Sequence, residues 1–262
     1  MIWFKAILGG VFATLICADM SQAQEPQPAL RVGVGLDRPP YVVIASGRGL
    51  DIDLVTETLS LAGFRLEAVH APSERLYLMF RAGQLDAFAA TNRQSGVEAF
   101  YSDSYIQYHN VAVSLERRQL DPKGIADLGD HSVVAFQRAR QLLGAEFQLM
   151  SERNARYLEL AQTVQLNLML YAGRVDYIIT DERIFRARNH GLRGEADITQ
   201  PVRVHRLFKP SNYSVAFADE HHRDQFNQAL EQLRSSGEYT RILHRYGDPL
   251  DTATAGLPAV QD

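Results

Sequence analysis

The chain has 262 residues, a net charge of −4 from 27 basic and 31 acidic side chains, and 46% apolar residues. That length suffices for one large domain or two modest lobes with real cores, and the composition is that of an ordinary globular protein. Both signs of charge are scattered along the chain, which excludes the basic face or stripe of a nucleic-acid binder.

The first 24 residues, "MIWFKAILGGVFATLICADMSQAQ", carry Lys5 and then an apolar run from Ala6 to Ala18. Ser21 and Ala23 follow with the small-residue spacing that signal peptidase reads. Residues 1–23 are therefore expected to be a cleavable signal peptide, with a retained anchor as the alternative; the apolar run is short for a bilayer span. A lipid anchor needs a small residue before Cys17, and Ile16 stands there. Cys17 is the only cysteine, so the secreted chain is expected to hold no disulfide, metal thiolate or catalytic thiol. Its charge stays at −4 because Lys5 and Asp19 leave together.

From Ala29 the elements follow in order. "ALRVGVGL" is a β-rich run, and "DRPPY" a loop stiffened by two prolines. From Asp51, the residues Ile52, Val55, Leu59 and Ala62 recur at helical spacing until Gly63. "RLEAVH" alternates as a strand, "PSERLYLMFRAG" is a helix closing on Gly83, and "QLDAFAA" is an apolar strand. Helical crossovers between strands imply parallel pairing. The second half repeats the grammar. "HSVVAF" is a strand, "RARQLLGAEFQLM" one helix, "YLEL" a strand, and "TVQLNLMLYAG" a helix closing on Gly173. "RVDYIIT" is then a strand and "DERIFRARNHG" a helix. "VRVHRLF" and "NYSVAFA" read as strands, and "EHHRDQFNQALEQLRSSG" and "EYTRILHRYG" as helices. The polar tail 249–262 is expected to be disordered. The phrase "RAGQLDAFAA" thus returns as "YAGRVDYIIT", each a helix end followed by a buried strand entered at Asp86 or Asp176. Two such junctions in matched order imply two α/β lobes of similar build.

Several stretches together resemble a known family. They are "RVGVGLDRPPY", "GLDIDLVTETLSLAGF", "RAGQLDA", "FYSDSY", "GRVDYIITD" and "SGEYTRILHRYG". In this order they resemble the amino-acid-binding periplasmic solute-binding proteins of ABC transporters (solute-binding family 3). Leu50 stands where an aromatic is usual, Tyr101 for Phe and Ser104 for Pro. The resemblance covers nearly the whole secreted chain. It implies a two-lobed α/β fold of the type II periplasmic-binding class, with mixed, mainly parallel sheets, helices on both faces and two hinge crossings. Lobe 1 is expected from residues 28–107 plus 210–248 and lobe 2 from 112–205, with crossings near "HNVAVS" and "LFKPSNYS". Solute binds between lobes that close by hinge bending.

The resemblance also implies site residues. Asp181 matches the position that holds an amino acid's ammonium; it stands equally where an N-cap is favoured. The carboxylate-holding arginine falls in "ATNRQSGVEAFYSD", a stretch short by a few residues. Arg93 serves if the gap is late, and Ser95 takes the position if it is early. Gln137 and Arg138 occupy the place of an anion-binding Gly-Ser/Thr turn, with its glycine missing; Arg138 otherwise reads as a solvated charge. Tyr41 matches a stacking aromatic or a packed one, and Thr91 a polar strand end. Arg75 in "PSER" has a surface charge as its simpler reading. His221 and His222 are adjacent and share no helix face, which argues against a metal site. "GVG" at 33–35 lacks the rest of a dinucleotide fingerprint, and no G-x-S-x-G elbow occurs. The expectation is a monomeric periplasmic binding protein without cofactor. It passes a small polar solute, an amino acid or related carboxylate, to a membrane permease. A cyclohexadienyl-dehydratase-like enzyme and a sensor for a membrane receptor are the alternatives.

Overall fold

The strand–helix alternation folds into two sheets, described over residues 27–192 and 194–247 of a computed structural model. The expected signal peptide at 1–23 and the tail at 249–262 lie outside these residues. The first sheet holds β1 (Ala29–Gly33), β2 (Arg65–Val69), β3 (Ala87–Thr91), β4 (Phe100–Tyr101), β5 (Ile106–Tyr108) and β11 (Ser211–Phe217). Its order is β2-β1-β3-β11-β4, with β5 paired to β11. The second holds β6 (Asn110–Leu115), β7 (Val133–Phe136), β8 (Tyr157–Leu160), β9 (Tyr177–Asp181) and β10 (Val202–His205) in the order β10-β6-β9-β7-β8. Each sheet is mixed. β1 pairs parallel with β2 and β3, and β7 with β8 and β9. β11 runs antiparallel to β3, β4 and β5, and β6 antiparallel to β9 and β10. The chain passes between sheets twice, at His109 between β5 and β6, and between β10 and β11.

The helices are α1 (Leu50–Leu61), α2 (Ser73–Arg81), α3 (Ala139–Leu142), α4 (Ala145–Arg153), α5 (Thr163–Tyr171), α6 (Glu182–Gly191), α7 (Glu220–Ser235) and α8 (Glu238–Arg245). The segment expected as one helix over 138–150 is two, because Gly144 at φ +90° separates α3 from α4. Alternation along the strands sends side chains to cores on both faces. On β3, Ala87 and Ala89 join Leu54, Phe226 and Ile242 from α1, α7 and α8, while Phe88 joins Leu76 and Phe80 from α2. On β9, Ile178 packs with Leu166, Leu170 and Phe185 from α5 and α6. Its neighbours Tyr177 and Ile179 pack with Phe147 and Met150 from α4. Each fully buried Leu or Phe contributes roughly 1.5–3 kcal/mol.

The repeated phrase does the same work in each lobe. Gly83 and Gly173 end the helices at φ +67° and +66°. Asp86 Oδ2 accepts the Arg31 N–H at 2.7 Å, and Asp176 Oδ2 accepts the Ser132 N–H at 3.0 Å. Both aspartates therefore extend the parallel ladder at the strand entry, which pins register and gives the phrase a structural reason to recur.

Candidate ligand-binding site

Where the lobes face each other, strand ends and helix starts enclose a cavity of about 90 Å³. Lobe 1 supplies the loop Val34–Arg38 after β1, Ser73 at the start of α2, and Phe88–Ala90 of β3. Lobe 2 supplies Phe136 at the end of β7 and Gln137 after it, Thr163 at the start of α5, and Thr180 and Asp181 at the end of β9. These are the carboxyl ends of the parallel strands, where open α/β sheets bind ligands. Tyr108 and Tyr213 add aromatic wall, their rings edge to face at 4.9 Å.

Arg38 lies in that wall and is fixed from behind. Its Nη2 donates to Asp51 Oδ2 at 2.5 Å, its Nη1 to the Val34 carbonyl at 2.8 Å, and its Nε to the Tyr108 hydroxyl at 3.3 Å. The Tyr108 hydroxyl donates onward to Asp51 Oδ2 at 3.2 Å, and the Tyr105 hydroxyl donates to Asp51 Oδ1. The Tyr105 oxygen in turn accepts the Ala90 N–H at 3.1 Å. Ala90 sits at φ +52°, beside the register shift between β3 and β11, so the network holds a strained residue at the cavity edge.

Asp181 is 2% exposed. Its Oδ1 accepts the Arg183 and Ile184 N–H groups at 2.9 and 3.1 Å, capping α6. Its Oδ2 accepts the His109 N–H at 2.8 Å, at the first crossing between sheets. Tyr41 also bonds it from lobe 1. Burial pushes the Asp181 carboxyl above its usual range, against those backbone and tyrosine donors that favour the charge. A raised acid pKa means the folded state holds the proton while the unfolded chain, near 3.8, has lost it. Wild type should therefore gain stability relative to Asp181→Asn as pH falls from the raised value toward 3.8, and lose it again as pH rises. Urea titrations of both proteins across that window check this; a difference independent of pH contradicts it.

The sequence model for bacterial extracellular solute-binding proteins, family 3, matches residues 30–249. The chain belongs to this family. A probable histidine-binding protein of Neisseria gonorrhoeae is 22% identical over 241 residues, covering 86% of this chain and 85% of the relative. Among solved structures, an ancestral arginine-binding protein bound to arginine superposes with a TM-score of 0.68 at 19% identity, covering 84% of this chain and 98% of that one. A histidine kinase sensor domain similar to periplasmic binding proteins gives 0.70 at 17% identity, covering 84% and 96%. These likenesses establish the two-lobed type II periplasmic-binding fold for this solute-binding protein.

Of the residues expected to hold solute, Gln137 and Asp181 line the cavity. Tyr41, Thr91, Arg93 and Arg138 are not among its lining residues. Tyr41 is buried behind Tyr108, stacked on it at 4.0 Å. Thr91 is buried, and its Oγ1 has no hydrogen-bond partner among the described residues. Arg93 is exposed in the turn after β3, its guanidinium 5.3 Å from the Tyr101 ring. Arg138 reaches across to Glu74 of the first lobe. Arg75 is exposed. Sequence reasoning missed Arg38, Tyr108 and Tyr213. The signal for Arg38 was Asp51, an acid amid the apolar positions Leu50, Ile52, Leu54 and Val55, which called for a buried cation as partner.

Proposed function

We propose that this solute-binding protein captures a small polar solute, an amino acid or a related carboxylate, and delivers it to a membrane permease of an ABC transporter. It does so as a monomer in the periplasm, after removal of residues 1–23, and it catalyses no reaction. One observation carries the reading: the interlobe cavity sets a buried carboxylate, Asp181, and a mostly buried guanidinium, Arg38, into a wall that includes the rings of Phe88, Tyr108, Phe136 and Tyr213. Arg38 is the only arginine among the described residues that lines this cavity. Three of its N–H groups go to Asp51, Val34 and Tyr108, and its fork carries more for a solute carboxylate. Gln137, Thr163 and Asp181 supply the polar complement for an ammonium end. The names of the histidine-binding relative and the arginine-bound neighbour support an amino acid as the solute.

A thermal-shift panel of amino acids, dicarboxylates, polyamines, sugars and prephenate tests this. A solute at a thousand times its Kd adds about 4 kcal/mol, or on the order of 8–16 °C for a chain of this size. The expected result is such a shift with amino acids, lost in Arg38→Met. A shift only with solutes lacking a carboxylate overturns the Arg38 role, and turnover of prephenate replaces binding with dehydration. The likeness to a kinase sensor domain raises a second reading, docking on a membrane receptor. Adjacent genes decide between them, permease and ATPase against sensor kinase.

A further inference from the structure

Two arginines of lobe 2 that do not line the cavity cross the cleft beside it. Arg138, just after β7, donates from Nη1 to Glu74 Oε2 at 2.8 Å and from Nη2 to the Ser95 carbonyl. Its guanidinium lies 4.5 Å from the centre of the Tyr77 ring, a cation–π contact. Glu74, Tyr77 and Ser95 all belong to lobe 1. The neighbouring Gln137 accepts the Glu74 N–H at 3.1 Å. Arg138 holds a left-handed backbone at φ +70°, which a non-glycine residue keeps only where its surroundings enforce it. Glu159 of β8 does so, accepting the Arg138 and Arg140 N–H groups at 2.7 and 2.8 Å. From α6, Arg188 makes the matching contact. It pairs with Asp37 Oδ2 at 3.1 Å, donates to the Asp37 carbonyl, and is steadied by Thr163 Oγ1 at 3.1 Å. The arginine side chains are only 8% and 16% exposed, while their acidic partners are half open to solvent.

We propose that Arg138 and Arg188 are positioning residues that latch lobe 2 onto lobe 1 and set solute affinity by populating the closed form, without touching the solute. Each latch runs from protein to protein, so it acts whether the cavity is filled or not. Both are pairs of opposite charge across the cleft, and their acids are half exposed, so added salt weakens both. For a solute that binds only the closed form, the apparent Kd is the closed-form Kd divided by the fraction already closed.

Spin labels at Leu61→Cys on α1 and Leu149→Cys on α4, both exposed, report the lobe separation. In the exported protein, with no solute added, wild-type latches should give predominantly the short distance. Arg138→Gln combined with Arg188→Gln should add a longer-distance population, and high salt should move wild type the same way. Glu74→Gln combined with Asp37→Asn breaks the same pairs from the other lobe and must reproduce the shift, which guards against misfolding in one variant. Distributions that are unchanged in both double variants overturn the proposal, as does a wild type that is already fully open. The distance measurement needs no solute, so it stands or falls apart from the amino-acid reading. Where L-arginine or L-histidine binds, reducing the closed fraction to a tenth should raise its Kd about tenfold, with the liganded distance unchanged.

Discussion

Asp51→Ala should lower stability by about 3–5 kcal/mol, the cost of stripping the partner from a buried ion pair. Asp51 is 2% exposed, and the side chain of Arg38 is 15% exposed. Removing the carboxylate leaves the guanidinium in the cavity wall without its counter-charge. It also takes away the acceptor of both the Tyr105 and the Tyr108 hydroxyl. Replacing the pair together, Asp51→Leu with Arg38→Met, should recover most of the loss, because a buried pair adds little over an apolar pair of similar shape. Urea unfolding of the three proteins decides the matter. If the double variant is as unstable as the single one, the uncompensated charge is not the cause.

Gly49→Ala should cost about 3 kcal/mol or more, through backbone strain and a clash with the Tyr41 backbone. Gly49 precedes α1 at φ 141° and ψ 159°, a region open essentially to glycine. A β-carbon there would stand 2.2 Å from the Tyr41 carbonyl oxygen and 2.5 Å from its carbon, and neither atom belongs to a side chain that can turn aside. The close approach exists because the start of α1 hangs on the proline loop: Leu50 N–H donates to the Pro40 carbonyl and Asp51 N–H to the Tyr41 carbonyl, each at 3.0 Å. Relief of the clash would move the loop that carries Arg38 and Tyr41, so solute affinity should fall with stability. Gly63→Ala is the comparison. It also has positive φ, at +88°, but meets open space, so it should lose only about 1–2 kcal/mol. Equal losses at the two positions would count against the clash.

Local chemistry explains which features were legible in the sequence. Helix ends at Gly83 and Gly173 and apolar runs such as "AFAA" are decided within a few residues, so the order of elements could be read directly. The break at Gly144 was not read, because the periodicity of Leu142, Leu143, Phe147 and Met150 continues through it and only the backbone reveals two helices. Asp181 was read between a strand and a helix, and it ends β9 and caps α6. Its capping of α6 is local, but its hold on His109, 72 positions earlier, is not. Arg93 and Arg138 show the limit most clearly. Both are arginines near the expected places, and their directions depend on Tyr101 in one case and on Glu74 across the cleft in the other. The Arg38–Asp51 pair, 13 positions apart, left only the trace of an acid in an apolar helix.

The placement of β11 has a consequence for how the chain is made. This strand lies inside the first sheet, between β3 and β4, yet it comes from the far side of the whole second lobe. As the polypeptide emerges from its N-terminus, the second sheet can assemble from one continuous stretch, β6 to β10. The first must wait, with the edge of β3 unpaired, until Ser211–Phe217 arrives. An unpaired edge is a template for association with other chains, and pairing across such a sequence distance is slow. Until β11 is in place, that edge of β3 is where the chain is most open to pairing with another copy, and the long stretch of β6 to β10 sets how long it stays so.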